Sequence, residues 1–116
     1  MFAFEKLDVY KEAFETNRKI YEFLLANKNI QSYVKNQLGR AALSIMLNIA
    51  EGSAKFSSRD RRNYLIISRG SAFECSAIIN FLYDVKLITA DFKSEMYQAF
   101  ENLSRKLYTM IRNLEK

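Results

Sequence analysis

The chain has 116 residues, 49% of them apolar, with no proline, three glycines, one cysteine and no histidine. This length bounds it to one domain, residues 1–116, and the composition excludes a disordered chain. No apolar run nears the roughly 18 residues of a membrane span, and a formal net charge of +5 fits either a solvated basic surface or a polyanionic partner.

The absence of proline and the scarcity of glycine favour long helices, since these residues are the usual breakers. The opening MFAFEKLDVYKEAF has acids where a secretory signal would have its apolar stretch. A cytoplasmic location is expected, and the lone Cys75, which cannot form an internal disulfide, is compatible with a reducing compartment. Four segments carry helical periodicity. The first runs from about Lys6 to Ala26, with a stripe of Leu7, Tyr10, Phe14, Tyr21, Leu24 and Leu25, and with Ala13 and Ile20 beside it. The second runs from about Ser32 to Glu51, with Val34, Leu38, Ala41, Ala42, Ile45 and Ile49 in its stripe. It ends in NIAEGSAK, where Gly52 suits the left-handed position that closes a helix because it has no Cβ to clash.

The third segment begins after Ser57, where Ser57-Ser58-Arg59-Asp60 fits a capping box, and runs to about Lys86. Leu65, Ser68, Ala72, Cys75, Ile79 and Leu82 form its stripe. The fourth starts at Thr89 as N-cap, with Asp91 in the first turn, and carries Phe92, Met96, Ala99, Leu103, Leu107, Met110 and Leu114. Short connections between the four imply an all-α, antiparallel up-down four-helix bundle. A turn near residues 55 and 56 sets Gly39 near Ala72, brings Glu74 within a turn of Gln37 and Arg40, and brings Glu51 near Arg59, Asp60 and Arg62. Phe2, Phe4, Phe23, Phe56, Tyr83, Tyr97, Phe100 and Tyr108 fall outside the stripes, and so many unplaced aromatics predict self-association.

The charge is local. Residues 35–69 hold seven bases against two acids, while the rest of the chain has eleven of each. The excess centres on KFSSRDRRN, and local positive charge attracts polyanions by releasing their counterions. Lys55, Arg59, Arg61 and Arg62 are the expected phosphate contacts, with Lys35 and Arg40 as outlying members.

Little in the chain resembles catalytic machinery. Without histidine there is no Ser-His triad and no Glu-x-x-His di-iron site, and no metal or other cofactor is expected. Cys75 lies in a core stripe, and RGSAFE matches no phosphate loop. Asn48, Glu51, Arg69, Ser71 and Glu74 read as a structural polar network that fixes helix register, with Arg40 and Glu74 as the expected ion pair.

LDVYKEA at 7–13, QLGRAALSIMLNIAEGSAK at 37–55 and RGSAFE at 69–74 together resemble the bacterial four-helix bundle proteins, a family that includes proteins encoded in intervening sequences of the large-subunit ribosomal RNA gene. The chain departs from the family at Gly39-Arg40, where two adjacent bases are common, and at Met46, where a proline is common. The resemblance implies a ring-like homopentamer with no established enzymatic activity and no catalytic residues to carry over. Related accessory proteins of diversity-generating retroelements bind nucleic acid and a reverse transcriptase. The resulting expectation is a non-enzymatic homo-oligomer that binds RNA or DNA through its basic patch, involving neither membrane nor metal. The alternative is an oligomeric scaffold for protein partners with no nucleic-acid role.

Overall fold

The computed structural model describes residues 1–115. A short 3-10 turn, Ala3–Lys6, leads into α1 (Asp8–Ala26), α2 (Ser32–Ser53), α3 (Ser58–Asp84) and α4 (Ala90–Leu114). Neighbours run antiparallel, and the cross-links show it. Gln37, Ser44 and Ile45 of α2 bond to Glu74, Ser71 and Ser68 of α3, while Glu12 and Lys19 of α1 reach Lys106 and Glu95 of α4. The bundle is 44 Å long, close to the length of about 40 Å that 27 residues of α3 span at 1.5 Å each.

The α2 and α3 stripes are buried as their periodicity requires, and these two helices pack most extensively. The α1 and α4 stripes need correction. In α1 the buried residues are Val9, Ala13, Thr16 and Ile20, whereas Phe14, Tyr21 and Leu25 are exposed. The helix is turned so that these small and β-branched residues face inward, while Leu7, Tyr10 and Leu24 of the expected stripe pack against the core's edge. In α4, Phe100 and Ile111 join Met96, Leu103 and Leu107 in the core. Phe100 is therefore no surplus aromatic. Phe23 stacks on Phe92 at 4.5 Å, and Phe4 packs edge-on against Tyr10 at 4.8 Å, which places two more.

The glycines also differ from expectation. Gly52 lies inside α2 and has no left-handed φ. A Cβ there would meet Tyr64 Cβ at 3.0 Å and the Arg61 carbonyl at 3.4 Å, so Gly52 permits close approach of α2 and α3. Gly39 faces Leu24 of α1, not Ala72, and a Cβ at Gly70 would meet nothing within 4 Å. The left-handed residue is Lys86, with φ 65°, at the end of α3. There the Leu87 amide donates to the Leu82 carbonyl and the Lys86 amide to Tyr83, the paired bonds of a Schellman closure.

By length and composition alone, α3 is apolar enough to cross a membrane. No short run of its sequence shows this, because Arg69 and Glu74 interrupt the apolar residues. Its inward face is core, and its outward face carries Ile66, Ile67, Phe73 and Phe81, all about half exposed.

Candidate nucleic-acid interface

The turn between α2 and α3 gathers four of the six expected basic residues. α2 ends as the Ala54 and Lys55 amides bond back to the Glu51 and Gly52 carbonyls at 3.1 and 3.2 Å. α3 begins at once, with Ser57 as N-cap and its Oγ accepting from the Asp60 amide at 3.1 Å. The return bond of a capping box, from the Ser57 amide to Asp60, is absent among the described residues. Arg61 fastens the turn, with Nε donating to the Lys55 carbonyl at 2.7 Å. That bond uses one guanidinium edge and leaves the other toward solvent. Lys55 Nζ sits 5.0 Å from the centre of the Tyr64 ring, Arg59 is exposed, and Arg62 is half-buried.

Lys35 and Arg40 do not join this cluster. They lie in α2 roughly 27 and 20 Å from Ser53, at 1.5 Å per residue. Arg40 instead lines a groove on the outer side of α2 with Leu43, Ser44, Leu47, Asn48 and Glu51.

Other bases, such as Lys11, Lys35 and Lys93, also lack an ion pair among the described residues, but the turn concentrates four such bases within residues 55–62. Among the described residues, none of Lys55, Arg59, Arg61 and Arg62 forms an ion pair with a carboxylate. They also cluster at the N-terminus of α3, the positive end of its dipole, where cations disfavour the helix. A phosphate group meets both the side chains and the dipole favourably there. Phe56, between Lys55 and Arg59, is fully exposed. Sequence reasoning counted it only as an unplaced aromatic. Its position within the basic run is the signal that distinguishes it, since basic patches interleaved with aromatics suit stacked bases.

The polar residues of the two central helices arrange themselves differently from expectation. Asn48 Nδ2 donates to the Ser44 carbonyl at 2.8 Å and to Ser44 Oγ at 2.9 Å, and Ser71 Oγ bonds Ser44 Oγ at 2.9 Å. Ser68, fully buried, donates to the Ile45 carbonyl at 2.7 Å. Ser68 is a member that periodicity hid, because a serine in a stripe reads as a small core residue, while Ser44 lies beside the α2 stripe. Glu74 accepts from Gln37 and not from Arg40, and Glu51 is exposed, with no ion pair and no bond to the α3 cap among the described residues. Arg69 turns to α4, with Nε donating to the Ser104 carbonyl at 3.4 Å and its guanidinium stacked over Phe73 at 4.7 Å and Tyr108 at 5.3 Å.

Below the turn is an open cleft of about 440 Å³ lined by Leu7, Ile49, Gly52, Leu65 and Met110, with Arg61 at its edge. Its lining holds one hydroxyl, Ser53, which donates to the Ala50 carbonyl at 2.7 Å, and no acid–base pair. The thiol of Cys75 is buried and pushed up to about 12 by desolvation and, secondarily, by Glu74, so it is neutral at ordinary pH. No group of three acidic or cysteine side chains converges among the described residues.

A small helical bundle with one basic end is the class that this geometry defines. The model of the 23S rRNA-intervening sequence protein family matches residues 5–109, and the chain belongs to that family. A crystal structure of a protein of unknown function from the S23 ribosomal protein family of Bacteroides thetaiotaomicron has the same fold, with a TM-score of 0.84. It is 23% identical over 89% of this chain and 97% of its own. No match is found among curated proteins.

Proposed function

We propose that this protein is a non-enzymatic, cytoplasmic homo-oligomer that binds nucleic acid through the α2–α3 turn. The observation that carries this reading is the concentration of Lys55, Arg59, Arg61 and Arg62 at the positive end of α3, unpaired by any carboxylate among the described residues. Phosphates take the arginines and the free α3 amides, and Phe56 offers a stacking surface to an unpaired base. Such contacts give affinity with little sequence discrimination. Repetition of a modest patch around an oligomer, five copies by the family resemblance, supplies avidity.

The test is fluorescence anisotropy with structured RNA and duplex DNA over a salt series. Binding whose logarithm falls steeply with the logarithm of salt is expected, because each neutralised phosphate contributes about 0.9 to the slope on duplex DNA. Absence of binding at low salt overturns the reading. The second reading, a scaffold for protein partners, is favoured by the exposed aromatics away from the turn, notably Tyr21 and Tyr33. It predicts that these rings, and not the arginines, control partner capture.

A further inference from the structure

The cleft below the α2–α3 turn gathers residues from one end of the bundle. Ala3 and Leu7 come from the start of the chain, Ile49 from the last turns of α2, Arg61 and Leu65 from the first turns of α3, and Met110 from the end of α4. Ile49 and Leu65 are buried, and Leu7 and Met110 are half-buried against the same core. The walls are therefore apolar and continuous with the interior. The volume of about 440 Å³ falls within the range of about 300–1,000 Å³ for small-molecule sites, which are mostly apolar with a few placed polar groups. Ala3 is exposed and contributes only a methyl group to the lining.

The charge of this cleft is one-sided. Among the described residues, Arg61 is the single charged side chain in the lining, and no carboxylate joins it. Its guanidinium is held in place, because Nε donates to the Lys55 carbonyl at 2.7 Å. Nη1 and Nη2 remain, a two-donor edge that matches the two oxygens of a carboxylate. An apolar wall with one fixed cation at its margin fits a molecule with an apolar body and one negative charge. A monocarboxylate balances Arg61 one for one. A phosphate monoester, with a charge of about −1.5 to −2, would leave part of its charge unbalanced against an apolar wall. A cation would be repelled, and a neutral hydrocarbon would gain nothing from the arginine.

We infer that the cleft binds a small amphipathic carboxylic acid, its carboxylate forked on the free edge of Arg61 and its alkyl or aryl body against Leu7, Leu65 and Met110. Arg61 is also one of the proposed phosphate contacts, so the acid and a nucleic acid compete for the same donors. That competition, unlike the site itself, rests on the nucleic-acid reading. An occupied cleft withdraws one cation from the turn. By linkage, the acid weakens nucleic-acid binding by the same factor as nucleic acid weakens the acid. The basic turn then responds to a small hydrophobic acid.

The experiment is isothermal titration calorimetry of the full chain with decanoate below its micelle concentration, first without nucleic acid. Saturable binding is expected, weakened about three- to fourfold for each methylene removed from the chain. Decanol, which brings no charge to Arg61, should bind at least about tenfold more weakly. Arg61→Gln should weaken decanoate by a similar factor and leave decanol unchanged. Ala3→Trp alters an exposed residue and fills the cleft, so it should abolish decanoate binding with unchanged helical circular dichroism. On duplex DNA, saturating decanoate should lower the salt slope of the wild type by about 0.9, one phosphate's worth, and leave that of Ala3→Trp alone. Absence of saturable decanoate binding, or equal binding of decanol, overturns the site. Decanoate binding that survives Ala3→Trp overturns it as well. If decanoate fails and Ala3→Trp changes the mass measured by light scattering, a second copy fills the cleft in place of an acid. Decanoate bound to a protein without affinity for nucleic acid upholds the site and removes the nucleic-acid reading alone. An unchanged salt slope with decanoate bound overturns the competition at Arg61.

Discussion

The outer surfaces of α1 and α4 and the α2–α3 turn use the same residue types to opposite ends. Every ion pair among the described residues lies on α1 or α4 or bridges them. Arg18 pairs with Glu15 and Glu22, Lys19 with Glu95, Arg105 with Glu101, Lys106 with Glu12 and Arg112 with Glu115. At the turn, Lys55, Arg59, Arg61 and Arg62 meet a carbonyl, an aromatic face and solvent. Net charge alone does not separate these regions. A base ion-paired to an acid belongs to the fold, while a base at the wrong end of a helix dipole that no carboxylate engages is available to a partner.

The largest expected effect comes from removing the turn's charge. Arg59→Ala, Arg61→Ala and Arg62→Ala combined should reduce the salt slope of nucleic-acid binding by about 2–3 and leave helix content unchanged. Retention of the full slope would break the comparison. Phe56→Ala should weaken single-stranded ligands by about 1–3 kcal/mol and barely affect duplex, since only an unpaired base can stack on it. Equal loss for both ligands would remove Phe56 from the site.

Stability measurements sharpen the other half. Gly52→Val puts a side chain against Tyr64 Cβ and the Arg61 carbonyl and should cost about 1–3 kcal/mol in chemical denaturation, along with binding if the turn shifts. Lys86→Gly relieves a left-handed residue at the end of α3 and should add up to about 1 kcal/mol. Lys19→Ala and Lys106→Ala break exposed pairs and should each cost no more than about 1 kcal/mol, with no change in nucleic-acid affinity.

How much of this was legible in the sequence depends on what each residue answers to. The α2 and α3 core stripes follow a simple period, and the caps at Ser57 and Thr89 follow from hydroxyls that accept the free Asp60 and Phe92 amides. The α1 stripe was misread because Phe14, Tyr21 and Leu25 also recur at helical spacing, and hydrophobicity cannot say which of two stripes faces a narrow core. Gly52 and Lys86 exchange the expected roles. The glycine stands where two helices touch, and a lysine takes the left-handed closure, so glycine position alone did not locate the helix end. The pairing of Glu74 with Gln37 in place of Arg40 depends on rotation about the helix axis, which residue spacing leaves free by a fraction of a turn. The basic cluster at 55–62 was visible because its members are close in sequence. Lys35 and Arg40 are separated from it by the length of a helix that the charge count ignores.

The most direct measurement of the central claim compares salt slopes for three proteins on one RNA: wild type, the triple arginine variant at the turn, and a triple variant at Lys19, Lys106 and Arg112. Both variants remove three positive charges, but only the first removes charges that the fold leaves unpaired. The account predicts a slope lowered by about 2–3 for the turn variant and within about 0.5 of wild type for the other. Equal reduction in both would mean that net charge alone governs binding, and the turn would lose its claim to be the site.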